Sequence, residues 1–254
     1  MTLLSFDDTF DGFLTLIFES YRLKIIPDKI IGRSEEQLFL FSKPMFIPSE
    51  ADKSERVWNK IISSTSKENA DRIYRVFMSE VPGSGMMIYE YVRLMTEKKY
   101  NIESDFTLKP VLELNKLHRK IAREAERIRM FARFQKTAEN SYFAAFSPQY
   151  NVLPLIINHF SDRFSDQEWI IYDIKRNYGF HCDKSGTARI RFTDLPVNPV
   201  NGQLYDSVHD PEEKKFQELW RKYYKSIKIE ARDNYKLHRQ MLPKRFWRYL
   251  TEKN

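Results

Sequence analysis

The segment EWIIYDIKRNYGFHCDKSGTARIRF, residues 168–192, decides the fold class. It holds three short runs rich in β-branched and aromatic residues, at 168–175, 176–183 and 187–192. Polar residues that favour turns separate the runs, near Asn177 and again just before residue 187. Strands that follow one another across tight turns pair as antiparallel neighbours. The segment therefore predicts three adjacent antiparallel strands.

The flanking sequence extends this sheet and adds helices. Residues 130–135 and 142–148 form two more such runs around the polar turn 138–141, which brings the expected antiparallel sheet to about five strands. Residues 51–129 instead repeat apolar side chains every three or four positions, which indicates helices. We expect an α+β fold with this sheet, a helical insertion in the N-terminal half and covering helices. One domain is expected over 1–254, with 51–129 as its mainly helical part.

Composition excludes several classes of protein. The seven glycines form neither GxGxxG nor GxxxxGK[ST], so a nucleotide site of the usual kind is not expected. The only cysteine, Cys182, rules out a disulfide within the chain and suggests a reducing compartment. No cofactor or metal ion is expected, because His181 would point away from Cys182 in a strand. The first ten residues lack a secretory signal and no run of 18 apolar residues occurs, so we expect a cytoplasmic protein without a membrane partner.

Positive charge is concentrated at the end of the chain. The net charge is +7, but residues 214–254 contain thirteen lysines and arginines against four aspartates and glutamates. That local excess of nine is larger than the net charge of the whole chain, so the remainder is slightly acidic. A clustered positive surface neutralises neighbouring phosphates and releases counterions. The distribution of charge therefore favours a nucleic acid as the partner.

Two interpretations of this tail remain open. Lysines three apart share one side of a predicted helix, while Trp220, Tyr223, Tyr224 and Ile227 form a neighbouring stripe. The aromatic stripe could face a core with the lysines solvated behind it, or the cations could contact phosphates. An exposed Trp247 could stack on an unpaired base. The candidate nucleic-acid-binding residues of the tail are Lys222, Lys225, Lys228, Arg232, Arg239, Lys244, Arg245, Trp247 and Arg248.

A second group of cations lies in HRKIAREAERIRMFARF, residues 118–134. Arg123 and Arg127 are four apart and share a helix face, where they could grip phosphates or pair with nearby glutamates. Arg133 is expected in a strand beside Phe131, either lining a groove or forming a buried ion pair. We include these three arginines among the candidate nucleic-acid-binding residues.

Four segments of the chain resemble one protein family in the same order. They are FDDTFDGFLTLIFESY, EAERIRMFARF, NHFSDRFSDQEWIIYD and the tail from LWRKYYKSIKIEARDN to LPKRFWRYL. The chain is similar to a bacterial family of domains of unknown function that is labelled as DNA repair or DNA metabolism proteins. Members are paired with a radical SAM protein that is thought to modify DNA, and a related domain is fused to a uracil-DNA glycosylase-like module. The resemblance implies a role connected with DNA and no established reaction.

The central motif departs from the family pattern at two positions. The family has Glu-Ala-His-Arg-Met followed by Phe-x-Arg-Phe. This chain matches it at Glu124, Arg127 and Arg133, but has Glu126 in place of the histidine and Ile128 in place of the methionine. A catalytic role that depended on that histidine is therefore not expected here.

Three residues are candidates for chemistry. An enzyme that excises a base needs a carboxylate to position water or stabilise a cation, and often a histidine to polarise the leaving base. Asp173, after the apolar run of a strand, and His159 in a short predicted helix could serve these roles, and Glu124 is the third candidate. The alternative is that His159 lies on a helix surface and Asp173 merely ends its strand.

The leading hypothesis is a DNA-binding accessory protein of a repair or base-modification pathway that works beside a radical SAM protein. The first alternative is a DNA-processing enzyme, such as a base glycosylase. The second is an adaptor whose basic tail docks on an acidic protein.

Overall fold

Two sheets organise the chain in the computed structural model, which describes residues 2–38, 43–229 and 234–253. A three-stranded sheet belongs to a first compact unit, Met1–Ala122, and a five-stranded sheet to a second, Arg123–Asn254. Each unit has a buried apolar core of its own. The fold is therefore mixed α+β, while the expectation of one domain over the whole chain stays a prediction.

The first unit begins with a parallel βαβ arrangement. Strand β1 (Leu3–Phe6) lies between β2 (Lys29–Gly32) and β3 (Met45–Phe46), and both pairs are parallel. Helix α1 (Phe10–Arg22) connects β1 to β2, as parallel neighbours require. Its first turn is capped by Thr9, whose hydroxyl accepts a hydrogen bond from the Gly12 amide at 2.9 Å. A 3₁₀ turn (Arg33–Leu38) follows β2.

Four helices follow in the stretch where helices were expected. They are α2 (Ala51–Ser64), α3 (Lys67–Met78), α4 (Ser84–Glu97) and α5 (Lys109–Phe131). The side chain of Ser66 caps α3 by accepting from the Asn69 amide. Helix α4 starts after Gly83, whose φ of 82° lies in the left-handed region that glycine adopts without strain.

A buried carboxylate on α1 makes the stability of the first unit depend on pH. The Glu19 side chain is 7% exposed, and it contacts Arg22 at 2.6 Å and Lys53 at 2.8 Å. These hydrogen bonds, that of Arg22 foremost, lower the pKa of Glu19 from 4.5 to about 2. Because the folded-state pKa is depressed, this contribution to stability is complete above pH 4.5 and is lost as the pH falls through 2.

We therefore predict that Glu19→Gln lowers the free energy of unfolding at pH 7 by about 2 kcal/mol, since hydrogen bonds to charged groups contribute about 1.5–3 kcal/mol. The difference between parent and variant should shrink toward zero as the pH falls from 5 to 2. Urea unfolding at five pH values measures it. A constant difference at every pH would show that the charge of Glu19 contributes nothing.

The sheet of the second unit has five strands in sequential order. Its strands are β4 (Gln135–Lys136), β5 (Tyr142–Phe146), β6 (Trp169–Asp173), β7 (Tyr178–Asp183) and β8 (Gly186–Ile190). The hairpins β6–β7 and β7–β8 are antiparallel, and so is the pair β4–β5. The pair β5–β6 is parallel, so the expectation of a wholly antiparallel sheet was wrong.

The parallel pair has a simple cause. Helix α6 (Leu153–Arg163) lies between β5 and β6 and carries the chain back along the sheet, so the next strand runs in the same direction as the last. The carboxyl ends of β5 and β6 consequently meet, with Phe146 opposite Asp173. Asp173 thus lies at an edge of the sheet where loops can bring other polar groups.

A second expectation fails at residues 130–135. Helix α5 continues to Phe131, and Arg133 lies in the irregular connection to β4 rather than in a strand. The apolar repeat of α5 extends by one more turn from Ile128 to Phe131, whose ring centroid lies 6.1 Å from that of Phe246. Packing on the second unit's C-terminal segment therefore overrides the strand pattern read from the local sequence.

The second unit ends in short helices. These are α7 (Glu213–Ser226), α8 (Tyr235–Met241), α9 (Lys244–Trp247) and a 3₁₀ turn (Thr251–Lys253). One core cluster beneath the sheet contains Phe143, Tyr172, Val197 and Leu204, all less than 5% exposed. Burying a side chain of this size contributes about 1.5–3 kcal/mol. Among the described residues, no helix is both long and apolar enough to cross a membrane.

Candidate functional site

Three arginines lie near one buried carboxylate in the second unit. Glu124 on α5 is 1% exposed and accepts a hydrogen bond from the Arg245 guanidinium of α9. It accepts another, at 3.0 Å, from the backbone amide of Gln149. Arg245 also donates to Gln149 Oε1 at 2.9 Å. Arg123 and Arg127 flank Glu124 along the helix. We call Arg123, Arg127 and Arg245 the arginine cluster.

Local sequence explains how this cluster forms. Glu124 and the neighbouring Ala125 lie toward the buried side of α5, whereas Arg123 is exposed and Arg127 is half-buried. Phe246 is 3% exposed and anchors α9, which leaves the preceding Arg245 at the surface, 41% exposed. The helix period and one aromatic anchor therefore bring cations from two distant segments to the same carboxylate.

The charges in this cluster do not cancel. Burial lowers the pKa of Arg127, and the positive charges of Arg245 and Arg123 lower it further, while Glu124 opposes them. Arginine nevertheless stays protonated in proteins. The cluster thus holds three guanidinium groups and one carboxylate, which leaves about two positive charges for an external anion. Guanidinium groups bind phosphate oxygens through paired hydrogen bonds.

Helix α8 borders the cluster. Arg127 Nη2 donates to the backbone carbonyl of Gln240 at 3.3 Å. The backbone of Arg239, an exposed residue, is therefore next to the cluster. The structure brings together Arg123, Arg127 and Arg245, with Arg239 at their edge.

Arg133 takes the second of the two roles considered for it, a partly buried ion pair. Its Nη2 lies 2.7 Å from Glu252 Oε1, and the Glu252 side chain is 5% exposed. Trp220 Nε1 donates to the same carboxylate at 2.9 Å, and the Arg133 guanidinium carbon lies 5.6 Å from the Trp220 ring. Burial raises the pKa of Glu252, but the hydrogen bonds from Arg133 and Trp220 outweigh burial and lower it. The charge of Arg133 is balanced by that of Glu252, whereas the arginine cluster has more positive than negative charges.

The other cations of the tail lie at the surface. Lys222 and Lys225 are exposed on α7, and Lys228 is exposed just after it. Lys244 on α9 is exposed, and so is Arg248, whose guanidinium carbon lies 4.8 Å from the Tyr249 ring. Arg232 lies outside the described residues.

The aromatic stripe of α7 is not a core face, because no residue of this helix is buried. Trp220 and Tyr224 contact the C-terminal turn through Glu252 and Lys253. One exposed face of α7 is apolar, and its members recur at intervals of three and four residues. We call Phe216, Leu219, Tyr223 and Ile227, each at least 50% exposed, the apolar stripe. Sequence analysis missed Phe216 and Leu219, although their helical spacing was visible.

Trp247 is only partly exposed. Its indole nitrogen donates to the Leu242 carbonyl at 3.1 Å, and the ammonium groups of Lys253 and Lys244 lie 5.4 and 6.0 Å from the ring. Much of the ring surface is therefore already in contact with the protein.

The three candidates for chemistry lie apart. Asp173 is fully buried and pairs with Arg176 at 2.8 Å. Burial raises the pKa of Asp173, while Arg176 opposes the shift. His159 is exposed on α6, and Glu124 belongs to the arginine cluster. Within the part of the chain that the structure describes, no hydrogen bond directly joins two of these three, and no group of three or more potential metal ligands occurs.

Gln149 and Arg176 link the two buried carboxylates indirectly. Arg176 donates to the carbonyls of Pro148 and Gln149 at 3.3 and 3.4 Å, while Gln149 contacts Glu124 and Arg245. The loop after β5 thus connects the edge of the sheet to the arginine cluster. Neither residue was predicted from the sequence, since nothing local in the loop signals contacts with distant side chains.

One comparison with known proteins gives a match. A family model described as a domain of unknown function, DUF4130, matches residues 82–252. No curated protein and no solved structure matches the chain.

Proposed function

The chain belongs to the DUF4130 family of domains of unknown function, and we propose that it is a DNA-binding accessory protein of a DNA repair or base-modification pathway. It binds the sugar–phosphate backbone and works beside a radical SAM protein. The observation that carries the proposal is the arginine cluster, in which three guanidinium groups lie near a single buried carboxylate that pairs with Arg245. The resemblance of its sequence motifs to DNA repair proteins supports DNA as the polyanion and radical SAM chemistry in the partner.

The exposed lysines extend the proposed backbone-binding surface. Lys222 and Lys225 add positive charge on α7, and Lys244 adds charge next to Arg245 on α9. Phosphate contacts of this kind carry no base specificity, so the surface would bind many sequences. Any choice of base would then come from the partner that carries the reactive group.

Two neighbouring residues test the proposal in opposite directions. We predict that Arg123→Glu weakens binding to a labelled oligonucleotide by about fiftyfold at 0.1 M salt, because it changes the cluster by two charges. Glu124→Gln should strengthen binding by about tenfold, because it removes the one negative charge of the cluster in a side chain of nearly the same size. Fluorescence anisotropy with single- and double-stranded DNA measures both changes.

Lys184→Glu is the matched control, since Lys184 is exposed in the β7–β8 turn of the same unit. It should change the affinity by less than twofold. If both cluster variants bind like the parent, DNA does not contact the arginine cluster. If Arg123→Glu and Lys184→Glu lose affinity equally, only the net charge of the protein matters.

The adaptor alternative has one observation in its favour, the apolar stripe on α7. A solvent-exposed apolar helix face of this kind commonly marks a contact with another protein. An adaptor would hold the radical SAM protein after nuclease treatment, and Tyr223→Glu would release it. Loss of the partner on nuclease treatment of the parent would instead show that DNA bridges the two proteins.

The enzyme alternative depends on Asp173, Glu124 and His159. It requires that the purified chain release a base or cut a strand without a partner. Asp173→Asn should then abolish that activity while DNA binding stays.

A further inference from the structure

A cavity in the first unit is unrelated to the arginine cluster, which belongs to the second. It lies between α1, α2 and α4 and has a volume of about 490 Å³. Residues at helical spacing on each helix line it, such as Ile17 and Tyr21 on α1 and Val92 and Met95 on α4. Ligand pockets for small organic molecules typically measure about 300–1,000 Å³. This cavity therefore has the size of a small-molecule site.

The floor of the cavity is apolar. Ile17, Val92 and Met95 are each no more than 5% exposed, and Phe18 and Val57 add half-buried apolar surface. A ligand in this cavity would bury an apolar body, which contributes roughly 25 cal/mol per Å² of area removed from water.

The rim of the cavity is positively charged. Arg22, Arg56 and Lys60 line it, and no acidic residue is among the described residues that do. Arg22 is paired with the buried Glu19, and Lys53 contacts both Glu19 and Glu50, so these four residues balance one another and the excess positive charge of the rim comes from Arg56 and Lys60. The Arg56 guanidinium carbon lies 5.1 Å from the Phe18 ring, and Lys60 is exposed. The rim thus favours an anionic group over a neutral or cationic one.

The Tyr21 hydroxyl and the Thr96 hydroxyl, 2.8 Å apart, form a hydrogen bond that joins α1 to α4 at the cavity wall. This bond and the packing of α1 on α2 fix the positions of the walls, so the cavity is preformed. A preformed pocket loses little free energy on ordering when a ligand enters.

We propose that this cavity binds a small amphiphilic anion, with its alkyl or aryl body on the apolar floor and its carboxylate, sulfonate or phosphate at the Arg56–Lys60 rim. The apolar floor would contact the apolar part of the ligand, and the cationic rim would pair with its negatively charged group. This binding function is separate from DNA binding.

Isothermal titration calorimetry of the full chain with decanoate and decanol tests the proposal. Decanoate should bind at one site and about tenfold more tightly than decanol, which has the same body without the charge. Lys60→Glu combined with Arg56→Glu should remove this preference, whereas Lys120→Glu, an exposed cation on α5 away from the cavity, should leave it intact.

Val57→Trp should occupy part of the cavity and weaken the binding of both ligands, with a circular dichroism spectrum like that of the parent as the check on folding. Equal affinities for decanoate and decanol would overturn the proposal, and so would the absence of binding. It would also fail if the charge-reversed variant kept the preference, or if an acidic amphipathic peptide bound where decanoate did not.

Discussion

The affinity for DNA should fall by at least about 10³-fold between 50 and 200 mM monovalent salt. A protein that contacts six to ten phosphates loses about 10³–10⁵ in affinity over this range, because each neutralised phosphate releases counterions. Apart from Arg245, which pairs with Glu124, and Arg133, which pairs with Glu252, eight candidate cations that the structure describes are exposed or half-buried. They are Arg123, Arg127, Lys222, Lys225, Lys228, Arg239, Lys244 and Arg248. If six or more of them contact phosphates, the logarithm of the affinity should fall steeply and linearly as the logarithm of the salt concentration rises.

The double variant Lys222→Glu/Lys225→Glu identifies which cations contribute. If both lysines contact phosphates, the slope should become shallower by about two units, since each contact contributes about 0.9. Titration of an oligonucleotide at four salt concentrations gives the slope for each protein. A slope near zero for the parent would contradict backbone binding altogether, and an unchanged slope in the double variant would exclude only the lysines of α7.

Asp173→Ala should lower the free energy of unfolding by about 3–5 kcal/mol. Asp173 is fully buried at the carboxyl end of β6, and its partner Arg176 is 12% exposed. Removing one member of a buried ion pair leaves the other charged and without its counter-charge in a poorly solvated place. Asp173 also accepts from the Arg176 amide at 3.1 Å, so the turn after β6 would lose a hydrogen bond as well. Urea unfolding followed by circular dichroism measures the loss.

Asp166→Ala is the comparison, because Asp166 is exposed in the loop before β6. Its effect should stay within about 0.5 kcal/mol, as for most surface substitutions. Parent-like stability of Asp173→Ala would mean that the ion pair contributes nothing to the fold, which would strengthen the enzyme alternative.

Local sequence patterns predicted correctly whether most segments form a helix or a strand. The apolar repeat of α5 and the alternation in β6 to β8 follow from the periods of a helix and a strand, and each can be read within a dozen residues. The hairpins were visible for the same reason, since their turns are short. The parallel pair β5–β6 was missed because strand direction depends on where α6 packs, not on the residues of either strand.

The candidate site, like the fold, could be predicted from the sequence only in part. Sequence alone identified its cations, their concentration in the tail and the shared helix face of Arg123 and Arg127. Only the tertiary structure paired Glu124 with Arg245, 121 positions away, and Arg133 with Glu252, 119 positions away. Such pairs depend on how distant segments pack, and nothing local records which carboxylate a guanidinium will meet. The sequence by itself therefore determined where the positive charge lies along the chain, and folding decided which charges are matched and which remain for a partner.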